Sequence, residues 1–121
     1  MPDEALARAV LERLPDPVLI ARGDPPWIAW ANAAARELFR LAQADAPLET
    51  ALRQPGLLEA LDAARADGLA HEVVFETIGV QPRIWRAAVR PLGAGQVFIV
   101  LRDETDARRT ERMRADFIAN A

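Results

Sequence analysis

The sequence predicts a chain of the α/β class in its α+β form: a five-stranded antiparallel sheet, helices on one face of it, and a further helix at each end. Three observations carry this. The runs Val18–Ala21 and Val97–Leu101 are apolar without alternation, as expected of central strands covered on both faces. Residues 71–78 and 84–92 alternate instead, which places them nearer an edge. Between these two groups lies a Leu-rich stretch opened by Pro55 and closed by Gly68, the punctuation of a helix.

Taken in order, Asp3 to Leu14 reads as an amphipathic helix with Asp3 and Glu4 at its N-terminus and Leu6, Val10 and Leu14 along one face. That face meets either its own domain's core or a second copy. Pro15 and Pro17 end the helix. Val18–Ala21 and Trp27–Ala31 form a hairpin around Gly23-Asp24-Pro25-Pro26. Asn32 stands where an N-cap belongs, followed by helix formers from Ala33 to Phe39. Leu48–Leu52 reads as a helical turn, and residues 55–67 as a longer helix with Leu57, Leu58 and Leu61 inward and Gly68 as its stop.

In the strand from His71, Val73 and Phe75 oppose Glu72 and Glu76; in the next, Trp85, Ala87 and Val89 oppose Arg86 and Arg90. Gly93-Ala94-Gly95 turns the chain into the last strand. From Thr105 to Ala121 the chain reads as a charged helix whose apolar stripe of Thr110, Met113, Phe117 and Asn120 or Ala121 has the three–four spacing of a coiled-coil seam. No Gly or Pro stop follows, so the helix is expected to continue beyond residue 121.

Composition narrows the chemistry. All 15 basic residues are Arg, and Lys, Ser, Cys and Tyr are absent, so there is no serine or thiol nucleophile and no Schiff-base amine. Without Cys, and with one His, neither a thiolate nor a His-cluster metal site can be assembled. A net charge of −3 argues against a general nucleic-acid partner. No apolar run reaches the roughly 20 residues of a membrane span, and Met1-Pro2-Asp3-Glu4 lacks a cationic leader start. No catalytic or metal-ligating residues are predicted. Glu49, Glu59, Asp62 and Asp67 are scattered on solvated faces, and Gly93-Ala94-Gly95 precedes a strand, so it is a turn and not a phosphate loop.

Two motifs and the order of elements resemble a known family. Ile28-Ala29-Trp30-Ala31-Asn32 resembles the PAS-domain signature in which an aromatic residue, here Trp30, and then an Asn, here Asn32, lead into the first helix. Asp103-Glu104-Thr105 resembles the Asp-x-Thr that closes PAS domains and opens a signalling helix. Arg114 to Ala121 (RADFIANA) resembles the run before the phosphoacceptor Ser-His-Glu of bacterial two-component sensor histidine kinases, whose histidine would fall two residues past Ala121. Leu52-Arg53-Gln54-Pro55 with the Leu-rich helix after it looks most like the phosphate-regulon sensor kinase within that group.

The resemblance implies an amphipathic helix over 1–14, a PAS sensor domain over 15–104, and a signalling helix over 105–121 leading to a kinase part. Asp103 and Thr105 would relay signal, with Thr105 or Asp106 capping the exit helix. Leu6, Val10, Leu14, Thr110, Met113 and Phe117 would form the seam of a homodimer. Phe39, Leu52, Leu61, Phe75, Trp85 and Ile99 would line a pocket or fill a core; large residues at these places favour a filled core, so no cofactor is expected and a small-molecule ligand is disfavoured. His71-Glu72 opens a strand, a setting that fits neither a phosphoacceptor nor a haem ligand, and the lack of Cys excludes the cysteinyl chemistry of photoactive relatives. The fragment itself would not be an enzyme. Its partners would be its own copy, the kinase domains of its parent chain and a phosphate-signalling adaptor protein, with the parent anchored in the inner membrane and this domain cytoplasmic. The alternatives are a stand-alone ligand-binding PAS sensor and a PAS dimerisation module.

Overall fold

The computed structural model describes residues 2–41, 46–78 and 80–120. The elements run α1 (Pro2–Arg13), β1 (Val18–Arg22), β2 (Trp27–Ala31), α2 (Ala33–Leu38), β3 (Ala46–Pro47), α3 (Leu48–Ala51), α4 (Pro55–Asp67), β4 (His71–Glu76), β5 (Ile84–Gly93), β6 (Gln96–Asp103) and α5 (Thr105–Ala119). One antiparallel sheet has the order β3-β2-β1-β6-β5-β4. Among the described residues it has six strands where five were expected. The extra strand is two residues pairing Ala46 and Pro47 with Ile28 and Trp27, too short to show any periodicity in sequence.

The first and last long strands pair at the centre, from Val18↔Val100 to Arg22↔Gln96. Residues paired across strands share a face, so Leu19, Ala21, Ala87, Val89, Val97, Ile99 and Leu101 together make the inner face, all at 1% exposure or less. Helix α4 covers it with Leu57, Ala60, Leu61 and Ala64, spaced three and four apart on one side of the helix. Each of those leucines is worth roughly 2–5 kcal/mol against truncation to Ala. Gly68 ends α4 with φ 72°, a left-handed conformation that a side chain would strain.

The outer face is a partial correction. Ile20, Trp30, Phe98 and Val100 are half-buried there, so the unalternating runs mark the central strands correctly but their second face is not fully covered. Among the described residues no helix is long and apolar enough to cross a membrane.

Asn32 holds the lead-in to this sheet. It is fully buried and caps α2 by accepting the Ala35 N–H at 3.0 Å. Its Oδ1 also accepts the Val18 N–H at 2.9 Å, and its Nδ2 donates to the carbonyls of Leu11 (2.9 Å) and Asp16 (3.0 Å). Every position of the amide is used. Asn32→Ala should therefore lower unfolding free energy by on the order of 2–4 kcal/mol, since it strands buried donors and acceptors from three segments. Denaturant titration checks this; a loss below about 0.5 kcal/mol, the range of a surface substitution, would contradict it.

Candidate functional site

The site with a built geometry lies where the sheet passes into α5. Ile84, the first residue of β5, offers one N–H and one C=O, and residues past the end of β6 take both: Glu104 N donates to Ile84 O at 2.8 Å, and Thr105 Oγ1 accepts from Ile84 N at 2.8 Å. Thr105 is 3% exposed. Its hydroxyl in turn donates to Asp103 Oδ1 at 2.5 Å, and the same oxygen accepts the Thr105 N–H at 2.9 Å. Arg83 Nη1 holds the other oxygen, Oδ2, at 2.9 Å.

A second layer of ions surrounds this knot. Glu104 accepts from Arg86 Nε at 2.9 Å and from Arg108 Nε, one turn into α5, at 3.1 Å. Arg86 also reaches Glu72 of β4 at 2.8 Å, so the ladder runs from the sheet edge to the helix. Arg109 donates to the Pro82 carbonyl at 3.3 Å. Burial works against the charged form of Asp103, but the Thr105 hydroxyl and N–H and the Arg83 guanidinium outweigh it and hold its carboxyl below the ordinary range. The hydrogen bond from Arg86, helped by Arg108 and opposed by burial, does the same for Glu104.

The two predicted relay residues are thus brought together, but the expected capping is corrected. The N-cap of α5 is Glu104, with no side-chain cap bond. The Thr105 hydroxyl turns back to the sheet because Ile84 N–H, at the mouth of β5, is a buried donor needing an acceptor. Asp106 is exposed and caps nothing. Arg83, Arg86 and Glu104 were not singled out by sequence reasoning; arginines alternating outward on a strand look like solvated positions.

The predicted pocket residues separate into two groups. Leu61 and Ile99 are core, at 0% exposure. Phe39, Leu52, Phe75 and Trp85 instead wall a groove of about 510 Å³, open to solvent at the end of the sheet beside Arg83. The signature positions also separate: Asn32 is the buried cap described above, and Trp30 is half-buried on the outer face. The dimer-seam residues stand in solvent in the single chain: Leu6 is 65% exposed, Val10 53%, Leu14 37%, Met113 72% and Phe117 76%, and Thr110 is exposed as well. Ala121 lies outside the described residues. His71 is a half-buried surface residue whose Nε2 meets Asp67 Oδ2 at 2.7 Å.

Two outcomes follow from this geometry. Thr105→Val keeps the shape but leaves Ile84 N–H without its acceptor, at about 1–3 kcal/mol; amides in the first turn of α5 should lose hydrogen-exchange protection while those of β1 and β6 keep theirs. Equal loss in all three would show that the hydroxyl serves the whole fold and not the junction. The second concerns pH. Both carboxyls are depressed on folding, so their stabilisation is complete above the ordinary values and is lost as pH falls through the lowered ones. The Thr105 amide and Arg86 side-chain resonances should titrate with midpoints below the ordinary 3.8 of Asp and 4.5 of Glu; midpoints at or above those values would contradict the network.

No family model and no curated protein matches the sequence. Solved structures do. An RNA-binding light-oxygen-voltage receptor superposes with a TM-score of 0.74 at 14% identity over 96% of this chain, which spans 36% of that chain. The light-oxygen-voltage (LOV) domain of a blue-light-activated histidine kinase from Erythrobacter litoralis gives 0.59 at 17% identity, covering 77% of this chain and 99% of that one. Both likenesses are of fold. They correct the expectation of no cofactor, since LOV domains bind flavin chromophores. In this structure Phe39, Phe75 and Trp85 offer flat apolar walls, and Gln54, Thr77 and Gln81 offer polar groups such as a flavin ring edge requires. With no Cys in the chain, no thiol is available there to bond to a flavin. The chain has the PAS fold in the form shared by light-oxygen-voltage domains.

Proposed function

We infer that this chain is the sensory domain of a bacterial sensor histidine kinase, controlling the kinase through α5. The observation that carries the reading is the double use of Ile84. Because both its backbone groups are bound by Glu104 and Thr105, β5 cannot shift relative to β6 without moving the first turn of α5. A two-state sheet displacement thereby becomes a displacement of the exit helix.

The effector assignment draws on the kinase-like sequence from Arg114 to Ala121 and on the fold shared with a histidine-kinase sensor domain. A homodimer completes the reading: the exposed Met113/Phe117 stripe needs a partner helix, and a second copy supplies one in parallel. The half-exposed Ile20, Trp30, Phe98 and Val100 add apolar surface of the kind found at interfaces. The phosphate-regulon likeness, with its adaptor protein and inner-membrane anchor, rests on Leu52-Arg53-Gln54-Pro55 and the Leu-rich helix after it. If a flavin is the input, Gln54, Thr77, Gln81 and Arg53 would hold its polar edge and any anionic tail. Once bound it would supply visible-light absorption.

The test fuses this chain through α5 to the dimerisation and catalytic domains of a histidine kinase. Replacing Asp103 and Thr105 together by Ala should leave a single cooperative melting transition, lowered by roughly 5–15 °C, while autophosphorylation no longer follows the input. Regulation unchanged in that variant would end the relay reading.

A further inference from the structure

The groove beside the junction has a composition of its own. Its floor is Leu52, Phe75, Trp85 and Leu101, all at 9% exposure or less. Its rim carries Arg53, Gln54, Thr77, Gln81 and Arg83. No carboxylate is among the described lining residues, and of the two arginines only Arg83 is paired, with Asp103 outside the groove lining. Arg53 is exposed, and among the described residues it has no ion-pair or hydrogen-bond partner. At about 510 Å³ the groove falls within the roughly 300–1,000 Å³ of small-molecule sites.

Arg83 belongs both to this groove and to the junction. Its backbone is pinned from the groove side, where Thr77 N donates to Arg83 O at 2.8 Å and Arg83 N donates to Thr77 Oγ1 at 3.2 Å. Its guanidinium then has one nitrogen on Asp103 Oδ2 at 2.9 Å, while the side chain stays 47% exposed. A half-exposed guanidinium with remaining donors can take a second anion in the fork geometry that carboxylates and phosphates favour. An anion seated over the aromatic floor is placed to do so. It would share or replace Asp103 as the partner of Arg83, and Asp103 is the group that orients Thr105 and the start of α5.

We propose that this groove binds a small amphipathic anion, an aromatic or acyl body with one carboxylate or phosphate, and that Arg83 transmits its occupancy to α5 through Asp103. The coupling half of this inference rests on the relay reading of the Asp103–Thr105 junction; the binding half does not. Arg53 supplies the second cation, and Gln54 and Gln81 the neutral hydrogen bonds around the head group.

Reciprocity gives the inference a signature. If the anion and Asp103 compete for Arg83, weakening one partner must strengthen the other. The pair is partly exposed, so the effect is modest: Asp103→Asn should tighten anion binding by roughly two- to fivefold. Removing a nearby negative charge favours any anion to some extent, so the shift of Thr105 on binding is the signature that separates competition for Arg83 from a general gain.

The probes are naphthalene-2-carboxylate, its neutral counterpart 2-naphthalenemethanol, and flavin mononucleotide, each titrated into the full chain by calorimetry and amide NMR. The carboxylate should bind at least tenfold more tightly than the alcohol. It should shift resonances at Phe39, Leu52 and Phe75 and also at Thr105, and weaken about fivefold or more in Arg53→Ala and in Arg83→Gln. Tight binding of flavin mononucleotide with a visible absorption band, lost in the same variants, identifies the anion as a flavin phosphate and supports the same site. Equal affinity for acid and alcohol, or binding indifferent to both arginine variants, overturns the site and leaves the junction reading standing. Anion binding that depends on Arg83 but leaves Thr105 unshifted and is not tightened by Asp103→Asn overturns the coupling. If Arg83→Gln fails to fold, the Arg53→Ala and Asp103→Asn results decide.

Discussion

A buried primary amide has two acceptor positions and two donors, and leaving any of them unmade costs stability; that constraint at Asn32 organises the lead-in half of this domain. The side chain sits where α1 ends, β1 begins and α2 begins, and gives one bond to each of four backbone groups. Its own N–H reaches Val18 O at 3.0 Å, so side chain and main chain grip the start of β1 together. An Asp at this position would turn two donors into repulsive contacts with carbonyls, and a Ser would reach one partner. The helix cap and the strand anchor are therefore one requirement met by one residue type.

The same logic recurs at the other end of the sheet. Thr105 plays toward Ile84 the part that Asn32 plays toward Val18: a side-chain oxygen completes the first N–H of a strand while its neighbours begin a helix. The two knots are close in the fold. β1 and β6 are central partners, and Leu101 N donates to Pro17 O at 2.9 Å, directly linking the segment that enters the sheet to the one that leaves it. Pro15, Asp16 and Pro17 also share a surface cleft with Trp85 and Asp103. Central pairing of the first and last strands thus brings the segment that follows α1 and the segment that precedes α5 to the same end of the sheet.

Much of this was legible because it is written in punctuation and period. Asn32 before a run of alanines, Pro55 at a helix start, Gly68 at its stop and the Gly93-Ala94-Gly95 turn each require a particular backbone conformation, and each falls where the structure needs it. Alternation also assigned the faces of β4 and β5 correctly, because a period of two is independent of context. What periodicity cannot supply is position along a strand. Ile99 and Trp85 look alike as apolar inward residues, yet one lies mid-strand in the core and the other near its strand's end, walling an open groove. Nor can it say where a hydroxyl points: Thr105 satisfies a strand N–H that is twenty-one residues back in the chain, and only the β5–β6 register brings the two together. Arg83 carried no sequence signal because its significance lies wholly in that same register.

The way α5 is attached bears on how a signal could use it. Thr105 is buried and Arg108 half-buried, but from Arg109 to Asn120 every residue is exposed. The helix is held to its own domain through the Ile84, Asp103 and Glu104 contacts and the reach of Arg109, a handful of hydrogen bonds each worth about 0.5–1.5 kcal/mol net and somewhat more where charged. A junction secured by large apolar burial could not be biased by a ligand, since the ligand can shift an equilibrium only by its own differential affinity. One held by a few polar bonds could: losing or re-forming one or two of them would change a balance between two positions of such a helix by roughly tenfold. The domain core, held by apolar burial, and the exit helix, held by a few polar bonds, therefore lie on different energy scales, the separation that the proposed relay would require.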